Sequence, residues 1–563
     1  MKKLIECVPN FSEGRDLTII KQITDIIENV DGIKLLDVDP GAATNRTVVT
    51  FVGEPEPVLE AAILAMKKAK ELIDMRKQKG AHPRFGATDV CPLVPVSNIT
   101  MEETVEWAHK LAKRAGEVLN YPIYCYENAA QKPERKNLAN VRSGEYEGLK
   151  EKLTDPNWKP DFGPAIFVPE TGATAISARD FLVAFNVNLN TTSTRRANAI
   201  AFDVRERGRV KREGNPFTGK IVLDEKGKKV MIPGSLKAVK AIGWFIEEYS
   251  IAQISMNLTN IKITSVHEAF DEVCKRATDR GIRVTGSELV GVMPLNAILD
   301  AGKYFLRKQK RSVGVSNEEL IKIAVKSMGL DDLKPFNPRE NIIEYLLEDN
   351  DKKQLIDMNL SAFADETASE SPAPGGGSIS AYVGALGISL GTMVANLSSH
   401  KAGWDDRWEE FSKYAEAGQN YKDQLLYLVD EDTNAFNKIM DAFKLPKGTN
   451  EEKIARKQAI TEASKYAIEV PFKVMEISLK SMEVIKAMAE IGNPNSVSDA
   501  GVGALCARTA VMGAYLNVKI NASGLDDKEY AQDVLAKGKL LEEEAQALEY
   551  EILNITNQKI SNS

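Results

Sequence analysis

Two hydrophobic periods divide the chain. Up to about residue 310, short β-rich runs at 4–8, 34–38, 47–52 and 90–96 alternate with amphipathic stripes of helical period at 17–28, 56–76 and 101–118, which predicts strands separated by helices. Pro92 and Pro95 mark the last of these strands as an edge strand, because neither can donate to a ladder. The order β-α-β-β-α-β is the split β-α-β arrangement of ferredoxin-like folds. A second set, with strands at 181–189 and 251–257 around a helix at 194–206, predicts a second such subdomain with the boundary near Asp180. The first half therefore reads as α+β, two ferredoxin-like subdomains. Residues 211–232 are rich in Gly and Lys and carry a hairpin signal at 224–229, either a surface insertion or a flap.

From Ser316 onward the strand pattern is lost, and a helix ending near Leu347 runs into a charged stretch at 348–353 that reads as a linker. Helical patterns at 379–399, 404–443, 451–491 and 497–521, with a last one after Asp526, predict an all-α helical bundle. The expected limits are 1–180 and 181–346 for the α+β subdomains, 347–354 for the linker and 355–563 for the bundle. The length of 563 residues suits this division at roughly 100 to 200 residues per domain. The uncharged run 379–397 is almost long enough to span a bilayer. Its Gly, Ser and Thr content suits close packing and the helices after it are amphipathic, so it is expected to be a buried central helix, with no membrane as partner.

Lys and Arg number 73 against 80 Asp and Glu, a net charge of −7, which lacks the basic excess that phosphate-backbone binding needs; no nucleic-acid partner is expected. Five cysteines, Cys7, Cys91, Cys125, Cys274 and Cys506, show no metal-ligand spacing, so a reduced, metal-free interior is expected. The apolar run after Lys3 stops at Pro9 and Asn10, too short for a signal-peptide core, and a cytoplasmic location is expected.

Four histidines limit the search for a neutral-pH acid or base. His109 lies within a helical stripe and His267 opens one, as surface or capping residues do; His400 completes the set. His82 sits in the Gly- and Pro-rich turn Gly80-Ala81-His82-Pro83-Arg84-Phe85-Gly86, between a long helix and a strand, where rigid elements hold a side chain outward. Arg84 beside it favours the neutral imidazole. A second segment, Asp161-Phe162-Gly163-Pro164 through Pro169-Glu170-Thr171-Gly172, frames an extended apolar stretch with two Pro and two Gly, as a linker does or as a wall for a flat ring does. In the helix around 425–443, apolar residues at 425, 428, 429, 436, 439, 440 and 443 form a stripe whose vacant place is taken by Asp432, whereas Asp430 and Glu431 project away from it. A carboxylate there is either a general acid/base with a raised pKa or a structural hydrogen-bond acceptor. Ala373-Pro374-Gly375-Gly376-Gly377-Ser378 opens the uncharged helix, whose free N–H groups suit an anion, or Ser378 is its N-cap.

Cys7-Val8-Pro9-Asn10-Phe11-Ser12-Glu13-Gly14, Asp37-Val38-Asp39 with Thr44-Asn45-Arg46-Thr47, the Gly80–Gly86 turn and Asp161–Pro164 resemble the formiminotransferase domain of the formimidoyltransferase-cyclodeaminase family. Residues 373–378, Leu428–Asp432 and Gly513-Ala514-Tyr515 resemble its cyclodeaminase domain, in the same order and over essentially the whole chain; residues 211–232 are longer than in animal members. The resemblance implies a bifunctional folate enzyme of histidine breakdown. The first domain would move the formimino group from N-formimino-L-glutamate to tetrahydrofolate, and the second would close 5-formiminotetrahydrofolate to 5,10-methenyltetrahydrofolate with release of ammonia. It implies His82 as transferase acid/base, Asp432 as the deaminase catalytic residue, and Gly163, Pro164, Ala165, Ile166, Phe167, Val168, Pro169, Glu170, Thr171 and Gly172 as the folate-binding segment. Asp39 and Arg84 are further candidates, for the cationic amidine and for a carboxylate. Tetrahydrofolate as co-substrate, polyglutamylated, no metal, and a homo-oligomer, an octamer, are also implied. The basic run Arg307-Lys308-Gln309-Lys310-Arg311 suits a polyglutamate tail or a solvated helix end. Two alternatives stand beside this reading: the helical domain as a methenyltetrahydrofolate cyclohydrolase, or as a catalytically inactive oligomerisation module.

Overall fold

The computed structural model describes residues 3–41, 45–80, 84–215, 218–347 and 354–562. His82 and most of the expected linker lie outside the described residues. The chain divides into two compact units, residues 1–301 with 324–348, and residues 302–323 with 349–563.

In the first unit, β1 (Leu4–Cys7) and β2 (Asn10–Phe11) are separated by Val8 and Pro9. Helix α1 (Leu17–Glu28) starts where the Asp16 side chain accepts from the N–H groups of Thr18 and Ile19, and it buries Ile20, Ile23 and Ile27 at helical spacing. Strands β3 (Ile33–Gly41) and β4 (Arg46–Gly53), helix α2 (Pro55–Leu72), strand β5 (Thr88–Ser97) and helix α3 (Met101–Leu119) follow; a Thr100–Glu103 capping box opens α3. Strand β6 (Ile123–Glu127), short helices α4 (Leu138–Val141) and α5 (Glu145–Lys152) and strand β7 (Thr174–Ala178) complete the sheet. Its order is β3-β4-(β1, β2)-β5-β7-β6, antiparallel from β3 to β5, with β7 parallel to both β5 and β6.

Strand β5 is thus an interior strand, not the expected edge. Proline lacks a donor but keeps its acceptor: the Pro92 carbonyl takes the Val8 N–H at 3.1 Å, and Pro92 and Pro95 stand opposite Ser177 and Ile5. The chain continues through β8 (Val183–Leu189), α6 (Thr194–Val204), a separate ribbon of β9 (Arg209–Val210) and β10 (Met231–Ile232), β11 (Val239–Ile246), β12 (Ile251–Leu258), α7 (Val266–Thr278) and β13 (Val284–Val290), and its longer strands form a second sheet. Its strands run β11-β12-β8-β13, all antiparallel. In the 211–232 region the chain is folded by its own ladder, Lys211 N to Val230 O at 2.8 Å and Val230 N to Val222 O at 3.0 Å, with Gly227 at φ +73° in the expected hairpin.

Helices α8 (Leu295–Lys308) and α9 (Asn317–Met328) begin in one unit and end in the other, and α10 (Pro338–Asn341) and α11 (Ile343–Leu346) close the first. The second unit is helical: α12 (Leu360–Thr367), α13 (Gly376–Ser399), α14 (Trp408–Lys444), α15 (Asn450–Ile491), α16 (Val497–Ser523) and α17 (Lys528–Ser561). Helix α13 is long and apolar enough to cross a membrane, and most of it is buried among its neighbours. Its glycines explain the composition: a Cβ on Gly387 would stand 2.8 Å from the Gly503 carbonyl of α16. Backbones meet there at a spacing only small residues permit.

Candidate functional site

The first site is defined by the chain on either side of residues 81–83. Before those residues, Met75 N donates to Glu170 O at 2.9 Å and Arg76 Nη1 lies 2.8 Å from Glu170 Oε1. Gln78 Nε2 donates to Glu13 Oε2 at 2.8 Å, while Gln78 Oε1 accepts from Asn45 Nδ2. The other oxygen of Glu13 accepts the N–H groups of Gly14, Arg15 and Asp16, so this buried carboxylate is held in a nest of donors. After them, Ala87 N donates to Thr171 O at 2.8 Å, Ala173 N to Phe85 O at 3.1 Å and Ser12 Oγ to Gly86 O at 2.7 Å. Thr171 and Ala173, at the end of the 163–172 segment, are thus stitched to one flank of the turn and Glu170 to the other.

The start of that segment is anchored separately. Fully buried Arg135 donates to Asp161 Oδ1 at 2.5 Å, and Cys125 N donates to Asp161 Oδ2 at 2.7 Å. Gly163 and Gly172 both have φ of +74°, and a Cβ would lie 2.2 Å from Tyr121 O in the first and 2.4 Å from Phe85 O in the second. Both ends therefore require glycine twice over, for conformation and for space. The stretch between is a succession of bends closed by a turn, Gly172 N to Val168 O at 2.8 Å, rather than the extended run expected. Phe167 is drawn inward against Tyr146, whose hydroxyl donates to Pro169 O at 2.6 Å, while Gly163, Ala165 and Ile166 stay exposed.

Arg84 pairs with Glu147 and lies 5.6 Å over the Tyr146 ring. Asp39 is exposed on β3, opposite Val48. Among the described residues, buried polar atoms without a hydrogen-bond partner gather in this region: Arg84 Nε, Thr88 Oγ1, Asp89 Oδ1, Arg142 Nε and Thr171 Oγ1. Such atoms are rare in folded interiors and mark places where a ligand or water completes the bonding. The other histidines have local roles: His109 Nε2 is 2.9 Å from Ala129 O, His267 Nε2 is 2.9 Å from Ser265 Oγ, and His400 ends α13.

In the second unit Asp432 points from α14 at the first turn of α13. Ser378 N donates to Asp432 Oδ2 at 2.9 Å, and a Cβ on Gly377 would fall 2.1 Å from Asp432 Oδ1. The anion expected at that helix start is the protein's own carboxylate, and the glycine run lets it approach. Gly375 is the N-cap, so Ser378 is a helical residue; its hydroxyl lies 2.9 Å from Val429 O and 3.1 Å from Asp432 Oδ2, and its one proton can serve either. Burial pushes the Asp432 pKa up, against the lowering by the two Ser378 hydrogen bonds.

The stripe itself is narrower than its spacing suggests. Phe436, Met440 and Phe443 are exposed, and Ala435 and Ala442 are buried instead. Glu431 does not project away: it is buried, accepts from the Tyr466 hydroxyl, and has Lys438 Nζ at 3.7 Å. Burial pushes its pKa up, but donors from Tyr466, Asn434 and Tyr427 bring it below the ordinary carboxylate value. Asp430 accepts from Leu355 N at 2.6 Å. Helix α14 is covered on more than one side, and a single-stripe reading cannot register that. Among the described residues no group of three His, Cys, Asp or Glu is placed to hold a metal ion.

Three family descriptions match in sequence: "Formiminotransferase domain, N-terminal subdomain" over residues 4–179, "Formiminotransferase domain" over 184–348 and "Formiminotransferase-cyclodeaminase" over 359–539. The formimidoyltransferase-cyclodeaminase of Rattus norvegicus is 43% identical over 528 residues, covering 94% of each chain. The chain belongs to the formimidoyltransferase-cyclodeaminase family. The glutamate formimidoyltransferase of Streptococcus pyogenes is 40% identical over 307 residues, 54% of this chain and 94% of that one. The methenyltetrahydrofolate cyclohydrolase of Methylorubrum extorquens is 36% identical over 202 residues, 36% of this chain and 97% of that one.

Within this family member, two groups of residues escaped sequence reasoning. One is a polar track across the second sheet, where Trp244 Nε1 donates to Gln253 Oε1 at 3.2 Å, Gln253 Nε2 to Asn188 Oδ1 at 2.8 Å and Asn188 Nδ2 to Asp332 Oδ2 at 3.1 Å. The other is Arg46, Asp89 and Arg142, which meet from β4, β5 and the end of α4. Their separation along the chain left no local signal; Arg46 stood only within a family motif.

Proposed function

We propose that this chain carries out two consecutive folate reactions. In the first, N5 of tetrahydrofolate attacks the formimino carbon of N-formimino-L-glutamate; N5 loses a proton, the glutamate nitrogen gains one, and L-glutamate leaves with 5-formiminotetrahydrofolate as the other product. His82, the histidine of the Gly80–Gly86 turn, is the group for both proton movements. Residues 163–172 hold the folate: Gly163, Ala165 and Ile166 are exposed to receive it, and their far end is tied to the flanks of the Gly80–Gly86 turn. In the second reaction N10 attacks the same carbon and ammonia departs, giving 5,10-methenyltetrahydrofolate; ring closure needs orientation and a proton shuttle. Asp432, with a pKa pushed up by burial, supplies that shuttle.

The observation that carries the reading is the seat of Asp432 against Gly377 and Ser378, since a purely structural helix contact would gain by placing an apolar side chain there. Similarity of the helical half to a cyclohydrolase leaves the second reaction open between deamination and hydrolysis; fusion to a transferase that makes the deaminase substrate favours deamination. The reading extends to two ferredoxin-like subdomains at 1–180 and 181–346, each supported by a β-α-β-β-α-β unit, a linker at 347–354 and the bundle at 355–563. It extends also to a cytoplasmic homo-octamer, for which exposed Leu516 and Ile520 on α16 offer apolar contact, and to polyglutamylated folate on the exposed 307–310 run.

Paired variants test the site assignments. His82→Gln is expected to lower glutamate release by at least about 100-fold while supplied 5-formiminotetrahydrofolate is still cyclised, and Asp432→Asn to do the reverse. Unchanged ammonia release in Asp432→Asn with an altered oligomer size would instead make that residue structural.

A further inference from the structure

The carboxyl group of the second site is held by one oxygen only. Both of its hydrogen bonds come from Ser378 and both go to Asp432 Oδ2, from the backbone N–H at 2.9 Å and from the hydroxyl at 3.1 Å. Among the described residues no donor reaches Oδ1, the oxygen that a Cβ on Gly377 would meet at 2.1 Å. One anchored oxygen and one free oxygen suit a proton carrier, because the first fixes the group while the second exchanges the proton.

Ser378 is fully buried, so its hydroxyl has no water to turn to. It has one proton and two acceptors, Asp432 Oδ2 and the Val429 carbonyl at 2.9 Å, three residues earlier on α14. The charge on Asp432 decides between them. A carboxylate is the stronger acceptor and draws the hydroxyl to itself, whereas a protonated carboxyl group loses that advantage to the closer carbonyl. The Ser378 N–H, in the first turn of α13, has no carbonyl of its own helix to bond and keeps Oδ2 in place in both states.

No charged group shares this role among the described residues. Helix α13 carries no Asp, Glu, Lys, Arg or His, and its Tyr382 packs on Phe363. On α14, Glu431 is engaged by Tyr466 of α15 and by Lys438, and Asp430 by Leu355 N; on α16, Lys519 lies 4.3 Å over the Tyr515 ring. What acts on Asp432 is burial, raising its pKa, and the two Ser378 bonds, lowering it.

We propose that Ser378 is the positioning residue of the second reaction: its hydroxyl proton turns to Asp432 while the carboxyl group is ionised and to the Val429 carbonyl while it is protonated, so that Oδ1 takes a proton from N10 and returns it to the departing nitrogen without stranding a buried polar atom. The balance closes. N10 loses one proton as it bonds the formimino carbon, Asp432 holds that proton, and the nitrogen that receives it leaves as ammonia with the electron pair of its broken bond to that carbon. This rests on the reading of Asp432 as the proton carrier.

The pH profile of kcat for cyclisation of supplied 5-formiminotetrahydrofolate would be compared on the full chain in wild type, Ser378→Ala, Ser378→Thr and Asp432→Asn, with helical circular dichroism and glutamate release as controls for intact protein. Ser378→Ala keeps the backbone bond to Oδ2 and suits a helix, so it removes the hydroxyl alone. Its acid limb is expected about one pH unit or more above that of wild type, the scale of one hydrogen bond to a charged group, with the KM for 5-formiminotetrahydrofolate and glutamate release unchanged. Ser378→Thr, which restores a hydroxyl, should bring the limb back towards wild type. Titration of the substrate itself is common to all the proteins and cancels in the comparison. A limb that stays in place in Ser378→Ala overturns the proposal, whether kcat is unchanged or falls equally at every pH, and so does a rise in KM alone. If Ser378→Ala turns over too slowly to give a profile, Ser378→Thr decides: recovered turnover supports the proposal and none overturns it. Asp432→Asn separates the two readings. Wild-type cyclisation in that variant would overturn the role of Asp432 beneath the proposal, whereas lost cyclisation there with an unmoved limb in Ser378→Ala would overturn the proposal alone.

Discussion

Glu6 and Asp432 are both carboxyl groups that burial pushes upward, and only Asp432 has a part in the proposed chemistry. Glu6 is buried on β1, and its pKa is raised to about 7 by burial, opposed by Arg179. A raised acid binds its proton more tightly in the folded chain than in the unfolded one, so folding stability falls as pH rises from about 4.5 through about 7. Glu6→Gln should remove that slope, gaining on the order of 2 kcal/mol over wild type above neutrality and little at acid pH. Denaturant melts across the window check this; an unchanged slope would contradict it. Asp432 was legible because it interrupts an apolar stripe. Glu431 was not, because one of the groups that satisfy it, the Tyr466 hydroxyl, comes from α15, and only the Tyr427 hydroxyl and the Asn434 amide on its own helix are near in sequence.

Elements exposed on one face announced themselves by their period: α1, α3 and the long helices of the second unit fall within a few residues of their expected limits. Strands β6 and β7 did not. Four of the five residues of Ile123–Glu127 and all five of Thr174–Ala178 are buried, so neither alternates, and apart from Ile176 β7 is made of small residues, Thr, Ser and Ala. Pro92 and Pro95 misplaced β5 because a missing donor was read as a missing ladder. The 163–172 segment was legible by its glycines, though its bends were not. Gly172→Ala should cost at least about 2 kcal/mol through left-handed backbone strain alone, with further loss from the approach to Phe85 O. Transferase activity should fall with it while cyclisation of supplied 5-formiminotetrahydrofolate persists. A variant with wild-type stability would show that the ends of the segment are not fixed as described.

For the whole molecule, the change of hydrophobic period near residue 310 foretold an α+β half and a helical half, and the chain divides into a sheet-containing unit and a largely helical one. The division is less simple than a linker implies. Residues 302–323 belong to the helical unit: Val313 N donates to the Ser412 hydroxyl at 3.0 Å and Gly314 O accepts from Asn396 Nδ2 at 2.7 Å. A charged stretch near 350 was the visible boundary signal, whereas this docking depends on bonds reaching about a hundred residues along the chain. The central claim concerns both halves at once, that one chain both transfers and cyclises. Its most direct measurement mixes purified protein with tetrahydrofolate and N-formimino-L-glutamate, following methenyltetrahydrofolate by absorbance with parallel glutamate and ammonia assays. Equal amounts of glutamate, ammonia and methenyltetrahydrofolate are predicted; glutamate without ammonia would contradict the account, leaving a transferase joined to an inactive or hydrolytic helical unit.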